Sequence, residues 1–249
     1  MQKPLRFSIF SGDARQIRLA ALLGEDEHKV TIFSADEVEK AIDAGDVLVL
    51  PVKGFDEDFL RGQVPEGKTL VTGQDFLSRE DFSVRNAVPT AEGAIQIAME
   101  NMSVTLHAAR CLVIGYGRIG KILARMLRGL GAEVSVSARR AGDMAWLLAE
   151  GHAALDTTRL DGALSGFDVI FSTVPTLILG HPRLLELKKE CLLVDLASPP
   201  GGIDKAAAGR LGLTCIHALS LPGIVAPQSA AGILRDTLYA ILRERGYAI

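Results

Sequence analysis

One short stretch constrains this chain more than any other. Cys111-Leu112-Val113-Ile114 reads as a buried strand. Gly115-Tyr116-Gly117-Arg118-Ile119-Gly120 follows directly, and a helical pattern then runs over 119–130. Three glycines at that spacing, between a strand and a helix, predict the phosphate-binding turn of a Rossmann-type domain. Gly115 lets the chain turn sharply out of the strand. Gly117 carries no Cβ, so a diphosphate can approach the backbone. Gly120 lets helix and strand pack closely. The free N–H groups and partial positive charge of the helix N-terminus favour an anion. The whole run, Gly115, Tyr116, Gly117, Arg118, Ile119 and Gly120, is therefore expected to bind the cofactor.

The surrounding pattern agrees with that turn. Hydrophobic residues make up 48% of the 249 residues but aromatics only 5%. The core must then be mostly Ala, Val, Ile and Leu, as in buried parallel sheets. Past the glycine turn, strand patterns fall at 132–137, 167–173, 192–196 and 213–217, with a helix at 144–150. Before it, strands at 7–10, 29–33, 46–51 and 69–73 alternate with helices at 15–23 and 38–44. The predicted fold class is α/β with two domains. A smaller flavodoxin-like N-terminal α/β domain covers 1–88. A linking helix covers 89–107, with Thr90 as its potential cap. The Rossmann-type domain covers 108–220. A C-terminal loop and helix, 221–249, are expected to pack back on the first domain. The cleft between domains is expected near 86–95 and the loops after Ile114, Thr173 and Leu196.

The second strand of the Rossmann-type domain bears on the cofactor. An NAD site places Asp or Glu about 20 residues past the first glycine, to hold the ribose hydroxyls. Here the strand ends Val136-Ser137-Ala138-Arg139-Arg140, without an acid. A hydroxyl and a guanidinium suit a 2′-phosphate. NADP is therefore expected over NAD, held by Ser137 and Arg139 with Arg140 in reserve. Thr173, Val174 and Pro175 end a later strand and are expected to line the nicotinamide-ribose side. Asp195, at the end of the next strand, either faces the nicotinamide or braces its own loop; the two readings stand level.

Several classes are disfavoured. The charge balance is 27 basic against 30 acidic residues, net −3, with no basic block, so no nucleic-acid partner is expected. No apolar run approaches the roughly 18 residues of a membrane span. The N-terminal stretch carries no signal-peptide pattern. Cys111, Cys191 and Cys215 lie apart in apolar runs, without Cys/His ligand spacing. They read as core residues in a cytoplasmic protein, and no metal is expected. None of the five histidines sits in a catalytic motif, and His217 reads as a structural strand-end histidine.

Other motifs form an ordered series. Gly12-Asp13-Ala14-Arg15-Gln16 follows the first strand, and Pro89-Thr90-Ala91-Glu92-Gly93 precedes the glycine turn. After the turn come Ser172-Thr173-Val174-Pro175, Asp195-Leu196-Ala197-Ser198-Pro199-Pro200-Gly201-Gly202 and Leu221-Pro222-Gly223-Ile224-Val225-Ala226-Pro227. In this order they resemble the A subunits of dipicolinate synthase, from residue 86 onward and at the first strand-turn. Three departures stand out. The segment 54–86 looks shorter than the family's. Pro200 stands where a basic residue is expected, and Gln228 where a lysine is expected. The resemblance implies an NAD(P)-dependent oxidation of dihydrodipicolinate, from the lysine pathway, to dipicolinate during endospore formation. It implies a partner, the flavoprotein-like B subunit, with the mother-cell cytoplasm as location; a homo-oligomer is expected too.

That chemistry needs a receptor for two carboxylates, a hydride acceptor and a proton acceptor. Arg15 is a plausible carboxylate fork. Thr90 and Ser198 can contact substrate by hydrogen bonding, and Glu92 can act as base, with Ser198 and Asp195 as further catalytic candidates. The bland alternatives are a solvent-facing Arg15 and, for Thr90 and Glu92, a helix cap with its first-turn acid. Two rival functions remain. A D-2-hydroxyacid dehydrogenase shares the two-domain plan, but the loop after Asp195 has no arginine before Arg210. A non-catalytic nucleotide-binding scaffold is the other.

Overall fold

The aliphatic runs become parallel strands and the stretches between them become helices. The computed structural model describes residues 4–249; the first three residues of the expected N-terminal domain lie outside them. The chain forms two units, Met1–Pro89 with Pro222–Ile249, and Thr90–Leu221.

In the first unit β1 (Arg6–Phe10), α1 (Ala14–Glu25), β2 (Lys29–Phe33), α2 (Val38–Ala44), β3 (Val47–Val49), α3 (Glu57–Arg61), β4 (Thr69–Val71) and α4 (Gly73–Leu77) alternate along the chain. The four strands form a parallel sheet in the order β2-β1-β3-β4. This is the flavodoxin-like order without its last strand. Side-chain alternation serves both faces. Phe7, Ile9, Val47 and Val49 enter one core, and Phe10, Leu48 and Leu50 enter the other. Asp13 caps α1: its carboxylate accepts from backbone, and Gln16 reaches back to the Asp13 N–H at 3.1 Å. Such a box satisfies N–H groups that the helix cannot pair internally.

α5 (Glu80–Asn101) is the long helix of the chain. It starts earlier than the expected 89–107 and ends sooner. Glu80 and Asp81 occupy its first turn, where acidic side chains suit the helix dipole. Phe82 is buried in the first unit's core, which anchors turns that precede Pro89. Pro89 therefore sits inside the helix, and Thr90 is an interior residue and not its cap.

The second unit holds β5 (Arg110–Ile114), α6 (Arg118–Gly129), β6 (Glu133–Ala138), α7 (Ala141–Ala149), β7 (Ala153–Asp156), β8 (Val169–Ser172), α8 (His181–Leu184), β9 (Leu192–Asp195), α9 (Lys205–Arg210) and β10 (Cys215–His217). Its six strands are parallel, in the order β10-β9-β8-β5-β6-β7. Counted from β5 that is the Rossmann order. β7 has no counterpart among the strands expected from the sequence. It is a four-residue edge strand with no fully buried residue, so it lacks the aliphatic run of its neighbours. Along β5, Cys111 and Val113 enter one core while Leu112 and Ile114 enter the other.

α10 (Leu221–Val225) and α11 (Pro227–Glu244) end the chain. α11 packs in the first unit, where Ala231, Leu234, Leu238 and Leu242 share a core with Leu19 and Leu23 of α1. Among the described residues no helix is long and apolar enough to cross a membrane.

Candidate functional site

In an open α/β sheet, ligands bind beyond the carboxyl ends of the strands, where strand order reverses. In the second unit that point lies between β5 and β8, because the chain runs outward through β6 and β7 before returning to β8. The glycine turn leaves β5 there. Gly115 has φ +102°, a region that glycine enters without strain. A Cβ on Gly120 would lie 2.0 Å from the carbonyl oxygen of Gly115, so helix and strand approach as closely as the motif requires. At Gly117, the N-cap of α6, nothing lies within 4 Å of a Cβ position. The turn thus presents backbone at the N-terminus of a twelve-residue helix, a geometry that fits a diphosphate.

Two side chains of the motif point elsewhere. Tyr116 is buried, and its hydroxyl donates to Glu150 Oε2 at 2.6 Å. Burial and the adjacent Glu150 push the phenol up to about 12. The Lys121 ammonium lies 4.9 Å from the ring centroid. Ile119 packs against the core. Among the predicted cofactor residues, Tyr116 and Ile119 therefore offer backbone only, while Arg118 is exposed.

The strand ends around the turn also divide. Thr173 Oγ1 donates to the Ile114 carbonyl at 3.0 Å. A Cβ on Gly115 would meet Thr173 Oγ1 at 2.4 Å and Val174 Cγ2 at 2.8 Å. The structure thus brings Thr173 and Val174 against the glycine turn, with Pro175 exposed beside them. At the end of β6, Arg139 and Arg140 are exposed, and among the described residues neither has an acidic partner. Ser137 does not join them. It is fully buried, and its hydroxyl accepts from Thr157 Oγ1 at 3.0 Å. β7 places Leu155 opposite Ser137 and brings Thr157 to it. The expected hydroxyl contact to a 2′-phosphate is thereby corrected: Ser137 braces two strand ends.

Asp195 resolves in the same way. Its carboxylate is fully buried and accepts from the backbone N–H groups of Ala197 at 3.1 Å, Gly202 at 2.9 Å and Ile203 at 3.3 Å. It folds the loop that follows β9 and leaves nothing of itself exposed to a ligand. The catalytic and nicotinamide-facing readings are corrected accordingly. Asp195→Ala strands three buried donors, so a loss of about 3 kcal/mol or more in folding stability is expected. Urea unfolding measures it. A catalytic role would instead show lost turnover at unchanged stability. His217 donates from Nε2 to the Ala197 carbonyl at 2.8 Å and belongs to the same brace. Ser198, in that loop, is exposed.

Arg15 lies in the first unit, at the carboxyl end of β1, and only 9% of its side chain is exposed. It is therefore not a solvent-facing helix residue. Its Nε donates to Asp13 Oδ1 and Oδ2 at 2.9 Å each, and its Nη2 to Oδ2 at 2.6 Å. Burial alone would raise the Asp13 carboxyl; hydrogen bonds from the Arg15 side chain and backbone, and its charge, more than offset that and hold it below the ordinary range. Motif reasoning gives Asp13 no functional role of its own. The one signal for it is the spacing of Asp13 and Gln16 at the start of a helix. On α5, Thr90 is buried and Glu92 exposed.

Burial pushes the thiols of Cys111 and Cys191 up to about 12 and that of Cys215 to about 11, which leaves them protonated and unreactive near neutrality. Among the described residues no cluster of three or more His, Cys, Asp or Glu side chains is arranged to hold a metal ion.

Comparison with known proteins bears on this geometry. The shikimate / quinate 5-dehydrogenase family matches residues 96–211, the part that carries the glycine turn and the strand ends around it. The A subunit of dipicolinate synthase from Bacillus subtilis (strain 168) is 27% identical over 96% of this chain and 96% of its own length. The aligned length, 286 positions, exceeds the 249 residues of this chain, so the relative carries segments that are missing here. The crystal structure of the dipicolinate synthase A subunit from Bacillus halodurans superposes with a TM-score of 0.84 at 26% identity, covering 97% of this chain and 99% of that one. A D-lactate dehydrogenase from Sporolactobacillus sp. shares the fold, with a TM-score of 0.65 at 14% identity over 98% of this chain and 97% of that one. In sequence and in fold, over nearly its whole length, the chain resembles the A subunits of dipicolinate synthase.

Proposed function

We propose that this chain is an NADP-dependent oxidoreductase that converts a cyclic dihydropyridine dicarboxylate of the lysine pathway into dipicolinate. It does so in a sporulating cell, together with a flavoprotein-like B subunit. The observation that carries the reading is the glycine turn at the β5/β8 switch point, with Thr173 and Val174 against it, in a chain similar over 96% of its length to a dipicolinate synthase A subunit. The bound nicotinamide supplies the hydride acceptor.

The chain's own residues do the rest. The α6 N-terminus and the Gly115–Gly120 backbone hold the diphosphate. Arg139 and Arg140, exposed at the end of β6, receive the 2′-phosphate. Arg15 binds a substrate carboxylate. Aromatisation of the ring releases one hydride and one proton; Glu92, exposed on α5, takes the proton. Formation of a planar pyridine makes the step favourable.

Two measurements test the reading. The purified chain, with and without a B subunit, should form NADPH and dipicolinate in equal amounts from freshly generated dihydrodipicolinate. NADP binding without turnover, even with the B subunit present, would sink it in favour of the scaffold. Separately, Arg139→Ala should weaken NADP roughly ten- to a hundredfold and leave NAD nearly unchanged, since one charge-assisted hydrogen bond contributes about 1.5–3 kcal/mol. An equal loss for both nucleotides would show that Arg139 does not read the 2′-phosphate.

A further inference from the structure

The guanidinium of Arg15 has two edges that can grip a carboxylate. Asp13 occupies the side edge, made of Nε and one Nη2 hydrogen. The end edge, Nη1 with the other Nη2 hydrogen, has no acceptor among the described residues. Only 9% of the Arg15 side chain is exposed, yet its nitrogens are not among the buried unpartnered atoms, so the exposed remnant includes the end edge, which is open to a ligand. Its location adds a second argument. In the first unit strand order reverses between β1 and β3, which is where ligands bind in sheets of this order. The segments leaving those two strands touch there: a Cβ on Gly12 would lie 3.1 Å from Pro51. Asp13 and Arg15 follow Gly12 closely.

We propose that Asp13 is a positioning residue. It clamps the side edge of Arg15 so that the end edge is held, pre-oriented, for one carboxylate of the substrate. The inference rests on the substrate reading given above. A guanidinium fixed before binding loses little freedom when it grips a planar carboxylate, so the clamp contributes to affinity by preorganisation. Gly223 completes the arrangement. A Cβ there would lie 2.8 Å from Asp13 Oδ2 and 2.9 Å from its Cγ. The absence of a side chain at 223 lets the carboxylate sit where the clamp needs it.

The sign of one effect separates this role from plain electrostatics. Asp13 is an anion close to where a dianion would bind. If it acted only through its charge, Asp13→Asn would strengthen binding. Acting as a clamp, it predicts the reverse. The test uses the full-length chain with Asp13→Asn, Arg15→Lys, their combination, and Gly223→Ala. Calorimetry with pyridine-2,6-dicarboxylate as the probe, in the presence of NADP, gives affinity. Steady-state assays with the B subunit give KM and kcat.

Asp13→Asn should raise the probe Kd and the KM by about tenfold or more, lower kcat less than threefold, and leave the NADP Kd within twofold. Arg15→Lys should weaken the probe similarly, because an ammonium has no planar fork. The double variant should be no worse than Arg15→Lys, since the clamp acts through the guanidinium alone. Gly223→Ala, which leaves both charged residues in place but crowds the Asp13 carboxylate, should raise KM in the same direction. A variant that merely unfolds part of the sample would lower apparent kcat at constant KM, and that result overturns the positioning role. So does tighter or unchanged probe binding in Asp13→Asn, or additive losses in the double variant. If the wild-type chain oxidises its substrate and any of these overturning results appears, only the clamp falls. If the wild-type chain neither binds the probe nor turns over, the substrate reading falls with it.

Discussion

Replacing Arg15 by alanine is expected to reduce kcat/KM by about a hundredfold or more while NADP affinity stays within a few-fold. Arg15 lies in the first unit and the glycine turn in the second, so the substitution removes no group from the turn proposed to hold the cofactor. What it removes is a nearly buried cationic fork. Without a bidentate charge-assisted grip on the proposed dianionic substrate, transition-state binding is expected to weaken by about 3 kcal/mol or more. There is also a structural cost, because Asp13 is left without its partner. Asp13 keeps 33% of its side chain exposed, so that cost falls below the roughly 3–5 kcal/mol of a fully buried pair broken on one side. A thermal melt recorded beside the kinetics separates the two. Turnover unchanged in a folded Arg15→Ala protein would remove Arg15 from the substrate site. The ion pair also sets an acid limit. Because the Asp13 carboxyl is held below its ordinary range, its contribution is present above the unfolded pKa and is lost as pH falls through the lowered one.

The second large effect separates two glycines of one turn. In Gly120→Ala the new methyl would sit 2.0 Å from the Gly115 carbonyl oxygen and 3.0 Å from its carbon. Both are backbone atoms of the turn itself, so no side chain can rotate away. The turn must open. Overpacking of this kind costs about 1–3 kcal/mol or more, and the dinucleotide loses its cradle, so binding should fall about a hundredfold together with stability. Gly117→Ala meets nothing within 4 Å, and its φ of −86° suits alanine. The free protein should therefore melt normally, yet bind NADP at least tenfold more weakly, because the methyl occupies space that the diphosphate needs. Melting curves and nucleotide titrations on the two variants give the comparison. Normal nucleotide affinity in Gly117→Ala would mean that the diphosphate lies elsewhere.

The elements legible in the sequence are those whose backbone state is set by local pattern. The aliphatic run at Cys111–Ile114 and the glycines after it describe a strand, a turn and a helix wherever they occur. α2 falls at 38–44, as its pattern indicates. Elements without a local pattern escape such reading. β7 is an edge strand with no fully buried position, and the first turns of α5 are held by burial of Phe82 in the first unit's core, although Pro89 further along would ordinarily mark a helix start.

Composition, periodicity and the glycine spacing by themselves determined that this chain builds two parallel α/β units and carries a tight glycine turn between a strand and a helix. They did so because helix, strand and turn preferences act over a few neighbouring residues. The direction taken by each polar side chain at the strand ends was decided only in three dimensions. Ser137 turns inward to Thr157, Asp195 spends its carboxylate on the N–H groups of Ala197, Gly202 and Ile203, and Asp13 holds one edge of Arg15. A hydroxyl or carboxylate goes to whichever partners the fold brings near it, and burying one without them is costly. That choice depends on partners supplied by another strand, or by a loop that closes back, so the tertiary structure alone separates the braces from the groups left free for a ligand.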